Sequence, residues 1–222
     1  MPAAVVFDCD GLLADSEPLW AAARGKLYRR RGLAFGETER KALLGLDVPD
    51  VATVMAGHFG EAGRERFIEQ ELLDAGMRRL RMGVRAMPGA LECVAAIARL
   101  MPVAVASNAP RCVLDPTLEA IGLAGRFAVT VAADEVDASK PAPDVYLAAC
   151  RGLGVVPESV LVFEDSPVGV RAAKAAGIPV VAVGNTSPLA DVLWGSLLDP
   201  GLARWLDCWR AAGHGSRPEP PV

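Results

Sequence analysis

The chain predicts a doubly wound α/β fold, a parallel sheet with helices on both faces, broken early by an all-helical insertion. Three observations carry this expectation. Short Val-rich runs recur along the sequence, helical patterns separate most of them, and the strand-like runs stop between Asp15 and Met87. Continuous apolar runs suit strands buried on both faces, as a parallel sheet requires. Their alternation with helices argues for crossover connections.

The strand-like runs are AVVFD (4–8), VAVAS (103–107), AVTVAAD (128–134), VLVFED (160–165) and VVAVG (180–184). Helical stretches between them run from Ala90 to Leu100, Val113 to Ile121, Asp144 to Leu153 and Val168 to Ala176. In the insertion, apolar residues recur at helical spacing instead: Leu19, Trp20, Ala23 and Leu27; Leu43 and Leu44; Val51, Val54 and Met55; Phe67, Leu72, Leu73 and Leu80. Pro49 and several glycines punctuate it, and Met87-Pro88-Gly89 marks the return. The expected organisation is a Rossmann-like core from residues 1–14 and 87–212, a helical cap over residues 15–86, and a disordered Gly- and Pro-rich tail over residues 213–222. The inserted helices suit either a cover for one sheet face or a mobile lid. Their position beside the first acidic motif favours the lid.

With 222 residues, 52% apolar and 23% charged, the chain has material for a packed core and a modest second domain. The formal net charge is −4 with the signs well mixed, so the basic stripe of a nucleic-acid binder is missing. Arg29-Arg30-Arg31 reads as the solvated end of a helix. No apolar stretch approaches the ~20 residues of a membrane span. The acidic motif at Asp8 arrives before a signal peptide could be completed, so a cytoplasmic location is expected. Five scattered cysteines without a C-x-x-C pair read as small buried hydrophobes. Long heptads are absent as well, and a monomer is expected.

The chemistry gathers at the strand ends. Asp8 and Asp10, one residue apart, point to the same side of the chain. Unpaired they would repel each other, so they invite a cation, and hard oxygen ligands suit magnesium. A second acidic pair, Glu164-Asp165, closes another strand. Each pair alone reads as an ordinary strand end or helix cap; two pairs on parallel strands point to a metal. Ser107-Asn108 follows a strand and offers a hydroxyl and backbone N–H groups, although Ser107 alone suits an N-cap equally well. Lys140, in Ser-Lys-Pro-Ala-Pro, reads singly as a solvated loop lysine. In combination these residues supply what phosphoryl transfer needs.

On these motifs the chain resembles the haloacid-dehalogenase superfamily of phosphohydrolases, in the branch of β-phosphoglucomutase and the sugar-phosphate phosphatases. The resemblance rests on FDCDGLLADSEPLW (Phe7 to Trp20), the Ser107 of ASNAPR, SKPAPDVYLAAC with Lys140, and FEDSPVGVRAAKAAG with Glu164 and Asp165. It implies that Asp8 attacks phosphorus and becomes an aspartyl phosphate. Asp10 then acts as general acid and base, while Lys140 screens the charges and Ser107 and Asn108 bind the phosphoryl oxygens. Mg²⁺ would be held by Asp8, Asp165 and the backbone carbonyl of Asp10, with Glu164 behind a metal-bound water. The implied substrate is a small phosphate ester, a sugar or polyol phosphate first. Trp20 suits either a sugar-stacking face or cap core.

Two alternatives bear on this expectation. Mutases of this branch carry a His where this chain has Trp20, and a Lys and an Arg where it has Leu44 and Val48 around Gly45. A bisphosphate intermediate would therefore lack its clamp. A non-catalytic receiver-like phospho-acceptor also uses acidic pairs, a hydroxyl and a lysine, but the inserted helices and the length count against it. Metal-free dehalogenase relatives lack the second aspartate of the first motif, which Asp10 supplies here.

Overall fold

The computed structural model describes residues 2–184 and 187–211, so the expected disordered tail lies outside the described residues. From β1 (Ala4–Phe7) the chain enters the insertion, whose helices are α1 (Glu17–Arg30), α2 (Glu37–Leu43), α3 (Val48–Phe59) and α4 (Glu65–Leu80). There follow α5 (Ala90–Ala98), β2 (Val103–Ala106), α6 (Arg111–Ala120), β3 (Val129–Val131), α7 (Asp144–Leu153) and β4 (Val160–Glu164). The chain closes with α8 (Pro167–Ala175), β5 (Val180–Val183), β6 (Val192–Trp194) and α9 (Pro200–Ala211).

The strands pair in parallel in the order β3-β2-β1-β4-β5-β6. Their residues alternate strictly between two cores. Val5, Phe7, Val103, Val105, Leu161, Phe163 and Val181 pack beneath α5, α6 and α9. Ala4, Val6, Ala104, Ala106, Val160, Val162 and Val180 pack beneath α7 and α8. Both faces of the central strands are buried, which is why β1, β2, β4 and β5 begin as unbroken apolar runs. The chain proceeds from β1 to β2 and β3 on one side, then crosses to β4 on the other. The reversal lies between β1 and β4, the place where open α/β sheets bind ligands at their carboxyl ends. Phe7 stands opposite both Val105 and Phe163. Asp8 and Glu164 therefore emerge side by side, and Ser107 at the same end.

The inserted helices build their own core from Leu27, Tyr28, Leu43, Met55, Ile68 and Leu72. The chain leaves and rejoins the sheet at adjacent points. Asp15 N–H donates to Arg85 C=O and Met87 N–H to Leu13 C=O, both at 2.8 Å, and Ala14 bridges Ala86. Across the gap, Ser139 Oγ donates to the Asp47 carboxylate.

Four expectations are corrected. The strand expected over 128–134 ends at Val131, because Ala133–Glu135 turns into a 3₁₀ segment. β6 and α9 had no counterpart among the expected elements; the apolar run of β6, Val192–Trp194, is only three residues long and too short to mark a strand. Arg31 is not solvated: its Nε and Nη2 reach Glu61 and Glu71 at 2.7 and 2.8 Å, and its side chain is only 15% exposed. Cys9, Cys93 and Cys150 are buried as expected, whereas Cys112 and Cys208 are exposed.

Candidate active site

The structure brings every sequence-predicted site residue to one place. Asp8 follows β1, Ser107 follows β2, Glu164 ends β4 and Asp165 follows it. Lys140 arrives differently, from the loop between β3 and α7 rather than from a strand end. Its Nζ nevertheless donates to Asp8 Oδ1 at 2.5 Å and to Glu164 Oε1 at 2.7 Å, and its side chain is 3% exposed. It is no solvated loop lysine. Asn108 explains how the loop is held: its side-chain Oδ1 accepts from Lys140 N–H at 2.8 Å and its Nδ2 donates to Lys140 C=O at 3.2 Å.

Asp10 is held by hydroxyls instead. Ser16 Oγ donates to its Oδ1 at 2.5 Å and Ser107 Oγ to its Oδ2 at 3.3 Å. Ser107 is fully buried and also accepts from Ala109 N–H, so it closes a local turn. The N-cap position of α6 belongs to Pro110. Gly11 completes the acidic loop with φ of +88°, and a Cβ there would lie 2.1 Å from Asp165 Oδ2. Only glycine suits both the left-handed backbone and that approach.

Apart from the fully buried Glu164, these groups line a cavity of about 170 Å³, between the strand ends and the inserted helices. Trp20, Arg24, Leu44, Leu46, Val48, Val51 and Leu72 supply the opposite wall. Trp20 packs against the core of the inserted helices and also borders the cavity. Its ring packs over Gly76 so closely that a Cβ there would lie 2.3 Å from Cζ3.

A family model described as haloacid dehalogenase-like hydrolase matches residues 2–177. The chain belongs to that family. Among the relatives of this haloacid dehalogenase-like hydrolase is Protein SUPPRESSOR OF QUENCHING 1, chloroplastic, of Arabidopsis thaliana, 37% identical over 82% of this chain. The chain spans only 18% of that longer protein. The fructose-1-phosphate phosphatase YqaB of Escherichia coli is 30% identical over 82% of this chain and 96% of its own length. The crystal structure of CbbY from Rhodobacter sphaeroides in complex with phosphate superposes with a TM-score of 0.79 at 26% identity, covering 89% of this chain and 95% of that one.

The electrostatics of the hydrolase's acidic loop are dominated by burial. Asp8 is pushed up from 3.8 to about 7, chiefly by desolvation; Lys140 opposes this and Glu164 adds to it. Asp165 is likewise raised, by burial and then by Asp8 and Glu164. Burial pulls Lys140 down, but Asp8 and Glu164 outweigh it and hold the ammonium charged. Cys9, buried between two aspartates, is pushed well up, chiefly by desolvation, and stays a thiol.

Against Asp8, Asp10, Glu164 and Asp165 stands the single ammonium of Lys140, so the cluster has room for added positive charge. Oxygens of Asp8, Glu164 and Asp165 lie within 4.8 Å of one another. Asp165 Oδ1 is buried with no hydrogen-bond partner among the described residues. An orphaned carboxylate oxygen beside two more hard donors fits a divalent cation. Glu164 differs from its neighbours. Its Oε1 accepts from Lys140 Nζ and Tyr146 Oη, and its Oε2 from Ser166 N–H and Oγ. With four donors on two oxygens it suits an outer position, and Asp8 and Asp165 the inner ones.

Two residues near the chemistry went unread in the sequence. Tyr146 lies in α7 at core spacing and reads as a packing aromatic, yet its hydroxyl reaches Glu164 at 2.8 Å and Lys140 Nζ lies 4.7 Å from its ring centroid. Arg24 reads as a surface cation. Its signal was the seven-residue spacing from Glu17, two helical turns along one face.

Proposed function

We propose that this chain is a magnesium-dependent phosphatase that hydrolyses a small phosphate ester, a sugar or polyol phosphate, through an aspartyl phosphate on Asp8. The observation that carries the reading is the convergence of Asp8, Asp10, Ser107, Lys140 and Asp165 on one cavity. The phosphatase name of YqaB and the phosphate in the CbbY crystal structure support it.

Asp8 Oδ attacks phosphorus in line and the P–O bond to the alcohol breaks. Asp10 protonates the departing oxygen, then takes a proton from the water that opens the acyl phosphate. The hydroxyls of Ser16 and Ser107 hold its carboxylate at both oxygens. Lys140, fixed by Glu164 and the Asn108 side chain, sets its charge beside the nucleophile. It stabilises charge spread over the phosphoryl oxygens, and Ser107 becomes a further donor there when its one hydroxyl proton turns from Asp10 to the bound phosphate. Asp8 and Asp165, with the Asp10 main-chain carbonyl, would hold Mg²⁺, which neutralises phosphate and nucleophile so that two anions can meet. The inserted helices act as a cap that excludes bulk water. The mutase alternative fits less well, because Leu44 and Val48 make the wall apolar where a second phosphate would need cations.

The test is phosphate release from sugar, polyol and nucleotide monophosphates, with Mg²⁺ and with EDTA. Magnesium-dependent release that disappears in Asp8→Asn supports the reading. No release from any substrate by folded, magnesium-loaded protein refutes it.

A further inference from the structure

Arg24 is a charged group that hydrolysis of the phosphate does not use. It is 7% exposed and lines the cavity wall opposite the carboxylates. Its Nη1 donates to both oxygens of Glu17, at 3.1 and 3.2 Å. Its Nε is buried and has no hydrogen-bond partner among the described residues. Leu44, Val48, Val51 and Leu72 make the surrounding wall apolar. Burying a guanidinium among them carries a desolvation cost, which one partner with a 42% exposed side chain offsets only in part. A donor left unfilled in a low dielectric adds to that cost. Packing alone would favour an apolar residue at this position.

The local geometry says what would fill the donor. Glu17, Trp20 and Arg24 stand at i, i+3 and i+7 on α1, one face of one helix. Helical side chains lean toward the N-terminus, which carries Arg24 back to Glu17. Glu17 neutralises the guanidinium, so the pair offers a second phosphate or a carboxylate no net attraction. A hydroxyl suits it well, accepting from Arg24 and donating to Glu17. The Trp20 ring beside the pair offers an apolar face to C–H groups.

We propose that Arg24, held by Glu17, is the specificity-determining contact for the leaving group, which it recognises as a neutral hydroxylated chain or ring by donating Nε–H to one of its hydroxyl oxygens. The proposal rests on the phosphatase reading above and names what that site selects.

The experiment compares kcat/KM for a hexitol phosphate with kcat/KM for acetyl phosphate, whose leaving group has no hydroxyl to offer. In Arg24→Met the ratio should fall about tenfold or more, the scale of one lost charged hydrogen bond. Arg24→Lys, which keeps the charge but not Nε, should lower it too and serves if Arg24→Met does not fold. A ratio within twofold of the wild type in the folded variant overturns the proposal, as does a wild-type preference for phosphoglycolate over hexitol phosphate. Calorimetry of hexitol phosphate on Asp8→Asn, with and without Arg24→Met, reads the same contact without turnover. Weaker binding in the double variant, alongside a wild type inert on all substrates, would refute the phosphatase reading and leave the Arg24 contact standing. Equal binding would overturn the contact.

Discussion

The two sides of the cavity are built on opposite plans. The strand-end side is crowded with charge: Asp8, Glu164 and Lys140 are bonded together and almost wholly buried, and Asp10 is bound by two hydroxyls. The helical side is a wall of Leu, Val and Trp carrying one ion pair, Arg24 with Glu17. A phosphoryl group needs fixed charges, and only short turns after rigid parallel strands hold several of them within a few ångströms. A leaving group needs shape and a few contacts, which side chains on packed helices supply. Changes on the strand-end side should therefore act on the rate of all substrates alike. Changes on the helical side should act on the choice among them.

Asp8→Asn should break the first side outright, lowering phosphate release on the order of 10⁴-fold or more, as loss of a nucleophile does. Circular dichroism should show the fold retained. Lys140→Met should cost activity and also about 3–5 kcal/mol of stability, because it leaves Asp8 and Glu164 buried without their cation. Chemical denaturation would measure this, and an unchanged midpoint would contradict the buried pairing.

The same burial predicts a dependence on pH. Asp8 is raised from 3.8 to about 7, so the folded protein keeps a proton that the unfolded chain releases. That stabilisation is complete below the unfolded value and disappears as pH rises through about 7. Metal-free protein should melt at lower temperature at about pH 8 than at about pH 5, and saturating Mg²⁺ should shrink the difference. A melting temperature that rises across this range in EDTA would count against the buried, protonated carboxylate.

Two smaller effects sharpen the helical side. Gly76→Ala sets a methyl against the Trp20 ring and should cost about 1–3 kcal/mol through overpacking. Its kinetic trace should be a KM several-fold higher for sugar phosphates, with the acetyl phosphate KM moved less. Ser139→Ala removes the hydrogen bond to Asp47 that ties the two sides together. It should lower stability by about 1 kcal/mol, a shift of about 2–4 °C by calorimetry.

Much of this was legible in the sequence, for physical reasons. Five strands announced themselves because both sheet faces are buried, which forces unbroken apolar runs such as VLVF before Glu164. β6 did not, because its apolar run, Val192–Trp194, is only three residues long. The carboxylates could be found because their strands end where they stand. The path of Lys140 could not, since it depends on Asn108 gripping a loop from 32 residues away. Tyr146 and Arg24 escaped for opposite reasons. An aromatic at core spacing reads as packing, and a helical arginine reads as solvent-facing, whereas Arg24 is 7% exposed and lines the cavity.

Asp10 takes one hydrogen bond from each side of the molecule, from Ser16 at the foot of α1 and from Ser107 beyond β2. The proposed acid is therefore set by a conjunction. If α1 swings outward about the joint at Ala14 and Ala86, one of its two restraints leaves with it. On that proposal no separate signal of closure is needed, because the proposed proton donor is held at both oxygens only while both halves reach the same carboxylate.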